Sequence, residues 1–269
     1  MLKTEERNQS SMNIDKMSSI EIMEIMQKEN INAALSIDSE LDKIADVVDK
    51  ISERMKKGGR LFYVGCGTSG RLGVLDASEC PPTFGVSKET VVGIMAGGYK
   101  ALYDASEGAE DNFEAGMNDV DKYNITEADS LVGISVAGGA SYVCGALTKA
   151  DEVGAFKVAL TSNEGSKIGK LSDVCICPDT GAEVITGSTR LKAGSAHKMI
   201  LNMISTGVMV KMGYVYSNLM INLEPTNVKL RDRMIRIVSD ITGMDYEKSE
   251  NILVNNDFCI RKAISDTLK

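Results

Sequence analysis

The sequence predicts a three-layer α/β fold, a doubly wound five-stranded parallel sheet with a small C-terminal helical appendage. Three observations point there. Five short apolar runs, each suited to one buried strand, alternate with segments of helical periodicity. The first run leads directly into a glycine-rich turn and a helix start. From Lys229 to Lys269 the pattern changes to three short helices with no further strand signal.

Residues 1–17 are polar and without period, which predicts an arm rather than an element. Ile20, Met23, Ile25 and Met26 predict a short helix over Ser18–Gln27, capped by Ser18 or Ser19. From Asp38, the residues Leu41, Ile44, Ala45, Val48, Ile51 and Met55 follow the helical period until Gly58-Gly59 end it. Such stripes suit core or subunit contact better than a ligand site. Leu61–Val64 then read as the central strand, and Arg71–Ser78 as the helix after the glycine turn, which Pro81-Pro82 stop.

The second strand spans Thr90–Met95. A helical region over Tyr99–Ser106 breaks at Glu107-Gly108-Ala109-Glu110-Asp111 and resumes to about Tyr123. Ser130–Val136, Lys157–Thr161 and Asp173–Cys177 supply the remaining strands, with helices over Tyr142–Val153 and Thr189–Met212. Ser188 or Thr189 is the expected N-cap of the last helix. The chain divides into an N-terminal arm with helices (1–58), the sheet-bearing core (59–228) and the C-terminal bundle (229–269). Ligands in such folds sit at the carboxyl ends of the strands, where Gly67–Gly70 and Ala137–Ser141 fall.

Composition narrows the function classes. A net charge of −8 argues against a nucleic-acid or anionic-membrane partner. No apolar run approaches the roughly 20 residues of a membrane span, and the polar start MLKTEERNQSS is not expected to be a secretory signal. The six cysteines are scattered; Cys175-x-Cys177 lacks a second ligand pair, so buried thiols are expected instead of zinc. A reduced, cytoplasmic protein is the natural reading. With His197 the only histidine, a His-rich metal site is excluded.

The turn Gly65-Cys66-Gly67-Thr68-Ser69-Gly70 has a plain reading, a strand-to-helix connection that needs glycine. Its Gly-x-Gly-x-x-Gly spacing also fits a dinucleotide fingerprint, but the second strand ends in Ala96-Gly97-Gly98 without the acidic residue that holds a ribose. No Lys-Ser or Lys-Thr pair closes the glycines, which excludes a nucleotide-hydrolase phosphate loop. Thr68-Ser69, at a helix N-terminus, suit the oxygens of a small phosphate monoester.

At GCGTSGRLGVLDASECPPTFG the chain resembles the N-acetylmuramic acid 6-phosphate etherases of the sugar-isomerase (SIS) fold group, a flavodoxin-like arrangement. The likeness continues through Ala96-Gly97-Gly98, residues 107–111, Glu183–Arg190, Asn218-Leu219-Met220 and Pro225-Thr226-Asn227. It includes Leu2, Thr4, Glu5, Arg7 and Asn8, and so covers nearly the whole chain. The resemblance implies cleavage of a lactyl ether at carbon 3 of a 6-phosphorylated amino sugar, giving N-acetylglucosamine 6-phosphate and D-lactate. Ring opening acidifies the carbon-2 proton, elimination expels lactate, and water adds back, with no metal and no redox cofactor. Glu79 matches the acid that protonates the leaving oxygen and Glu110 the base; Asp76, Glu107 and Asp111 are the nearest rivals.

Gly67, Thr68, Ser69, Gly70, Ser135, Ser188 and Lys192 are the expected contacts to the sugar phosphate. His197 reads as a structural histidine, although it and Lys198 have the reach for a sugar or a neighbouring subunit. The resemblance further implies a homodimer with sites near the subunit boundary. One stretch departs from the family: where a Ser-Gly-Arg-Thr loop is usual, the chain has Ala137-Gly138-Gly139-Ala140-Ser141. That loss favours a non-catalytic sugar-phosphate sensor, similar to glucokinase regulatory protein, as the first alternative. The second is an aldose–ketose isomerase of the same fold group.

Overall fold

The computed structural model describes residues 2–104, 107–225 and 227–267. Ser106, Thr226 and Lys269, which the sequence reading included, lie outside the described residues. The elements are α1 (Ser19–Leu35), α2 (Leu41–Lys56), β1 (Leu61–Gly65), α3 (Gly67–Phe84), β2 (Val91–Met95), α4 (Phe113–Lys122), β3 (Ser130–Ile134), α5 (Ser141–Glu152) and β4 (Phe156–Leu160). There follow α6 (Lys167–Lys170), β5 (Val174–Ile176), α7 (Lys192–Lys211), β6 (Val215–Tyr216), β7 (Leu219–Met220), α8 (Val228–Thr242), α9 (Tyr246–Asn255) and α10 (Ile260–Thr267).

The sheet has the order β2-β1-β3-β4-β5 and every pairing in it is parallel. The order reverses between β1 and β3, both buried along their whole length, so the turns leaving these two strands open side by side. One face is covered by α2, α3 and α7 through Val47, Ile51, Ala77, Ile200 and Ile204. The other is covered by α4 and α5 through Val120, Val143 and Leu147. A third cluster, around Met234, Val238, Leu253 and Ile260, joins α8, α9 and α10.

Several elements differ from the sequence reading. Helix α3 begins at Gly67 and runs through Pro81 and Pro82 to the left-handed Gly85 (φ 60°). The two missing N–H groups fall in its last turn, and burial of Cys80 and Phe84 holds that turn helical. Helix α1 extends to Leu35, well past Gln27, because Glu29 and Ala33 pack inward although the segment has no strong apolar stripe. The arm carries three single turns of 3-10 helix at Lys3–Glu5, Gln9–Ser11 and Ile14–Lys16. Tyr99–Leu102 form a 3-10 turn where a longer helix was expected. The small hairpin β6–β7 and the single turn α6 have too few residues to show a period.

Helix α7 starts at Lys192, later than expected, and neither Ser188 nor Thr189 caps it. Its first turn contains no acidic residue. The fully buried Glu183 carboxylate instead accepts the N–H groups of Lys192 (3.2 Å) and Ala193 (3.0 Å). Those donors have no intrahelical partner, so a carboxylate from an earlier loop satisfies them and the positive helix end together.

Candidate active site

Where the strand order reverses, a cleft of about 160 Å³ opens between the N-terminal ends of α3 and α5. Cys66, Gly67, Thr68 and Ser69 form one wall; Ser135, Val136, Ala137 and Ala140 form the opposite one. Thr189 and Gly194, from the start of α7, and Glu110 close the sides. Larger clefts lie elsewhere, but this one has two helix N-termini aimed into it.

The turn geometry explains why those ends are open. Gly67 has φ 51° with no atom where a Cβ would point, so the chain turns sharply and its edge stays clear. Cys66 and Ala140 are the N-caps of α3 and α5, and neither helix end is capped by a side chain. The first-turn N–H groups of both helices are therefore left for a ligand. Gly70 plays a different part from the one expected. It lies outside the cleft lining, and a Cβ on it would sit 2.5 Å from the Gly65 carbonyl oxygen, so it permits β1 and α3 to meet.

The facing loop is rigid by construction. Ser135 Oγ accepts the Gly138 N–H at 3.1 Å, and the Val136 carbonyl accepts from Ser162 N, Thr161 Oγ1 and Asn163 Nδ2 at 3.0, 3.1 and 2.9 Å. Ala137 and Ala140 present methyl groups where hydroxyls would otherwise meet a ligand. The missing hydroxyls leave main-chain donors and the Ser135 hydroxyl as what this wall offers an anion.

Glu110 follows the short turn Glu107–Ala109, and its backbone carbonyl accepts the Tyr142 N–H at 2.9 Å. That bond ties it to the first turn of α5, leaving its exposed carboxylate at the cleft mouth. Burial, with the charges of Glu110 and Asp111 adding, pushes the Cys66 thiol up to about 12, so it stays protonated. Glu79 is not in this cleft. It is exposed on α3, twelve residues beyond Gly67, or about 18 Å of helix rise away.

Two more expected contacts, Ser188 and Lys192, fall elsewhere, as do the rival carboxylate Asp76 and the pair His197 and Lys198. Ser188 is half-buried and its N–H donates to Ile185 O at 3.0 Å, leaving Thr189 to line the cleft. Lys192 is buried, and its ammonium pairs with Glu29 of α1 instead of facing the cleft. Burial pushes Glu29 up, but hydrogen bonds from Lys192, Asn8 and Asn32 outweigh it and hold the carboxyl below its usual range. Asp76 is buried between α3 and α7, accepting from Asn202 Nδ2 at 2.5 Å and Ser205 Oγ at 3.2 Å. Lys198 is exposed and bonded to Asn202, and His197 is buried against Ser162. The sequence assigned no role to Glu183; its signals were its place in the Glu183–Arg190 stretch of family likeness and an acidic residue ahead of a helix whose first turn has none.

A protein from Clostridium beijerinckii named N-acetylmuramic acid 6-phosphate etherase is 51% identical over 263 residues, covering 98% of this chain and 86% of that protein. The chain belongs to the N-acetylmuramic acid 6-phosphate etherase family. A second etherase, from Caldanaerobacter subterraneus, is 49% identical over 97% of this chain and 85% of its own length. The family model for the glucokinase regulatory protein N-terminal SIS domain matches residues 43–151, which hold β1, the glycine turn and most of the cleft. Among solved structures, a phosphoheptose isomerase from Francisella tularensis shares 16% identity with a TM-score of 0.54, over 72% of this chain and 100% of that one. A phosphoheptose isomerase from Neisseria gonorrhoeae shares 18% identity with a TM-score of 0.53, over 71% and 98%. These two show that the etherase chain has the fold of the phosphosugar isomerases.

Proposed function

We propose that this chain cleaves the lactyl ether of N-acetylmuramic acid 6-phosphate with water, giving N-acetylglucosamine 6-phosphate and D-lactate. One observation carries the reading: the Glu110 carboxylate stands at the mouth of a cleft floored by the N–H groups of Gly67, Thr68 and Ser69. The likeness to etherases over nearly the whole chain supports it. In this reading the phosphate takes the helix N-termini and the Thr68 and Ser69 hydroxyls. Hydrogen bonds to a charged group contribute roughly 1.5–3 kcal/mol each, so a few main-chain donors hold it without the missing loop hydroxyls.

Glu110 takes the carbon-2 proton of the open-chain sugar. The electron pair left behind forms the carbon 2–carbon 3 double bond as the carbon 3–oxygen bond breaks, and the leaving oxygen takes a proton from an acid. Water then adds at carbon 3 and the proton returns to carbon 2, so the reaction is an elimination followed by hydration, a lyase step. We assign Glu79 as the acid of a neighbouring subunit's cleft. Its exposure on α3, beside the exposed Leu75, and its distance from its own cleft support a homodimer with shared sites. The six unpaired cysteines suit a reducing cytoplasm.

The methyl-lined wall favours one other reading, a sensor that binds sugar phosphate without breaking it. D-lactate release from the muramic acid phosphate separates the two. The native chain is expected to release it, with Glu110→Gln and Glu79→Gln each slower by about 10²–10⁴-fold. Mixing and re-associating the two variants is expected to restore about a quarter of native activity, because half the random dimers carry one intact site. Tight binding without release would establish the sensor; no recovery on mixing would rule out shared sites.

A further inference from the structure

The N-terminal arm has no place in the chemistry above, yet it is tied to both loops that bound the cleft. Thr4 is fully buried, and its Oγ1 accepts from Asn163 Nδ2 at 3.1 Å. The same amide nitrogen donates to the Val136 carbonyl at 2.9 Å. A carbonyl only accepts, so this side of Asn163 is its NH2 group, and Thr4 and Val136 share its two hydrogens. Val136 and Ala137 form the cleft wall opposite the glycine turn.

A second set of contacts reaches the loop that ends at Thr189. Asn8 Nδ2 donates to the Ala182 carbonyl at 3.1 Å, and Lys3 pairs with Asp179. Glu5 lies against Gly187, where a Cβ would come within 3.0 Å of its carboxylate. Asn8 also helps hold the Glu29 carboxyl, the partner of Lys192 at the start of α7, below its usual range. Four arm residues thus touch either Asn163, which bonds Val136, or the 179–187 segment that leads to Thr189.

We propose that the arm is positioning machinery for the substrate site: through Thr4 and Asn8 it holds the 135–140 and 179–191 loops in their ligand-receiving geometry. The arm touches no cleft-lining group itself, so it acts through Asn163 and Ala182. Its expected signature is affinity for the sugar phosphate rather than the rate of bond breaking, a clause that rests on the etherase reading.

The full chain carrying Thr4→Val and Asn8→Ala tests this. KM for the muramic acid phosphate is expected to rise about tenfold with kcat changed less than about threefold, and binding of N-acetylglucosamine 6-phosphate to weaken by the same factor. Thr4→Ser, which keeps the hydroxyl, is expected to stay near native. Without ligand, amide hydrogen exchange of the double variant is expected to quicken at Val136–Ala140 and Ala182–Thr189 and to remain native in β1 and β3. If the double variant does not fold, Thr4→Val alone is read in the same way. Unchanged exchange in both loops, KM within about twofold of native, or a fall in kcat with KM unmoved would overturn the proposal. The exchange readout needs no catalysis, so a native chain that releases no D-lactate sinks the etherase reading alone.

Discussion

His197 offers the cleanest quantitative test of the packing around α7. It is the only histidine in the chain and is fully buried, with Nε2 3.1 Å from Ser162 Oγ. Burial lowers its pKa from 6.5 to about 4, so the folded chain keeps the imidazole neutral where the unfolded chain protonates it. Between those pH values the unfolded state binds more protons, so stability rises with pH. The contribution is full above about pH 6.5 and is lost as pH falls toward 4. At about 1.4 kcal/mol per pH unit the whole window amounts to about 3 kcal/mol, of which about 2 kcal/mol is lost between about pH 7.5 and 5. Urea unfolding of the native chain and of His197→Gln, followed by circular dichroism at both pH values, isolates the effect because the carboxylates common to both cancel. The native chain is expected to lose about 2 kcal/mol more than the variant. Equal losses, or a native imidazole resonance titrating near its ordinary value of 6.5, would refute the reasoning.

Other outcomes follow from the same geometry. Lys192→Met leaves the buried Glu29 carboxylate without its cation and is expected to destabilise the chain by about 3–5 kcal/mol, measured by urea unfolding at about pH 7.5. Ala140→Ser supplies a hydroxyl at the uncapped start of α5. It is expected to raise stability by about 1 kcal/mol, or Tm by about 2–4 °C, and to lower KM for the muramic acid phosphate. Gly70→Ala would force a Cβ to 2.5 Å from the Gly65 oxygen; its Tm and its affinity for N-acetylglucosamine 6-phosphate are expected to fall together, because the two glycines set the helix end against the strand.

Residues that act through local periodicity or turn chemistry were legible before folding. The buried strands are apolar runs, and the glycine turn announces a helix start able to meet an anion. Glu110 was legible as a carboxylate in a glycine-containing break, and it lies at the cleft mouth. Lys192 and Ser188 misled because a helix-start position says nothing about which way a side chain faces. Only the packing of α1 against α7 reveals that Glu29 takes the Lys192 charge. The diproline misled for a related reason, since burial of Cys80 and Phe84 outweighs two lost helical bonds.

The order of apolar runs, turns and helix starts by itself determined the sheet, the alternation of its helices and the glycine turn that lines the cleft, because those features depend on neighbours a few positions apart. Tertiary structure alone decided that Glu183 caps α7, that Asn163 joins the arm to the cleft wall, and that Glu79 stands far from the cleft. Each of these depends on where distant segments come to rest against one another, and contacts between distant segments leave no period in the chain.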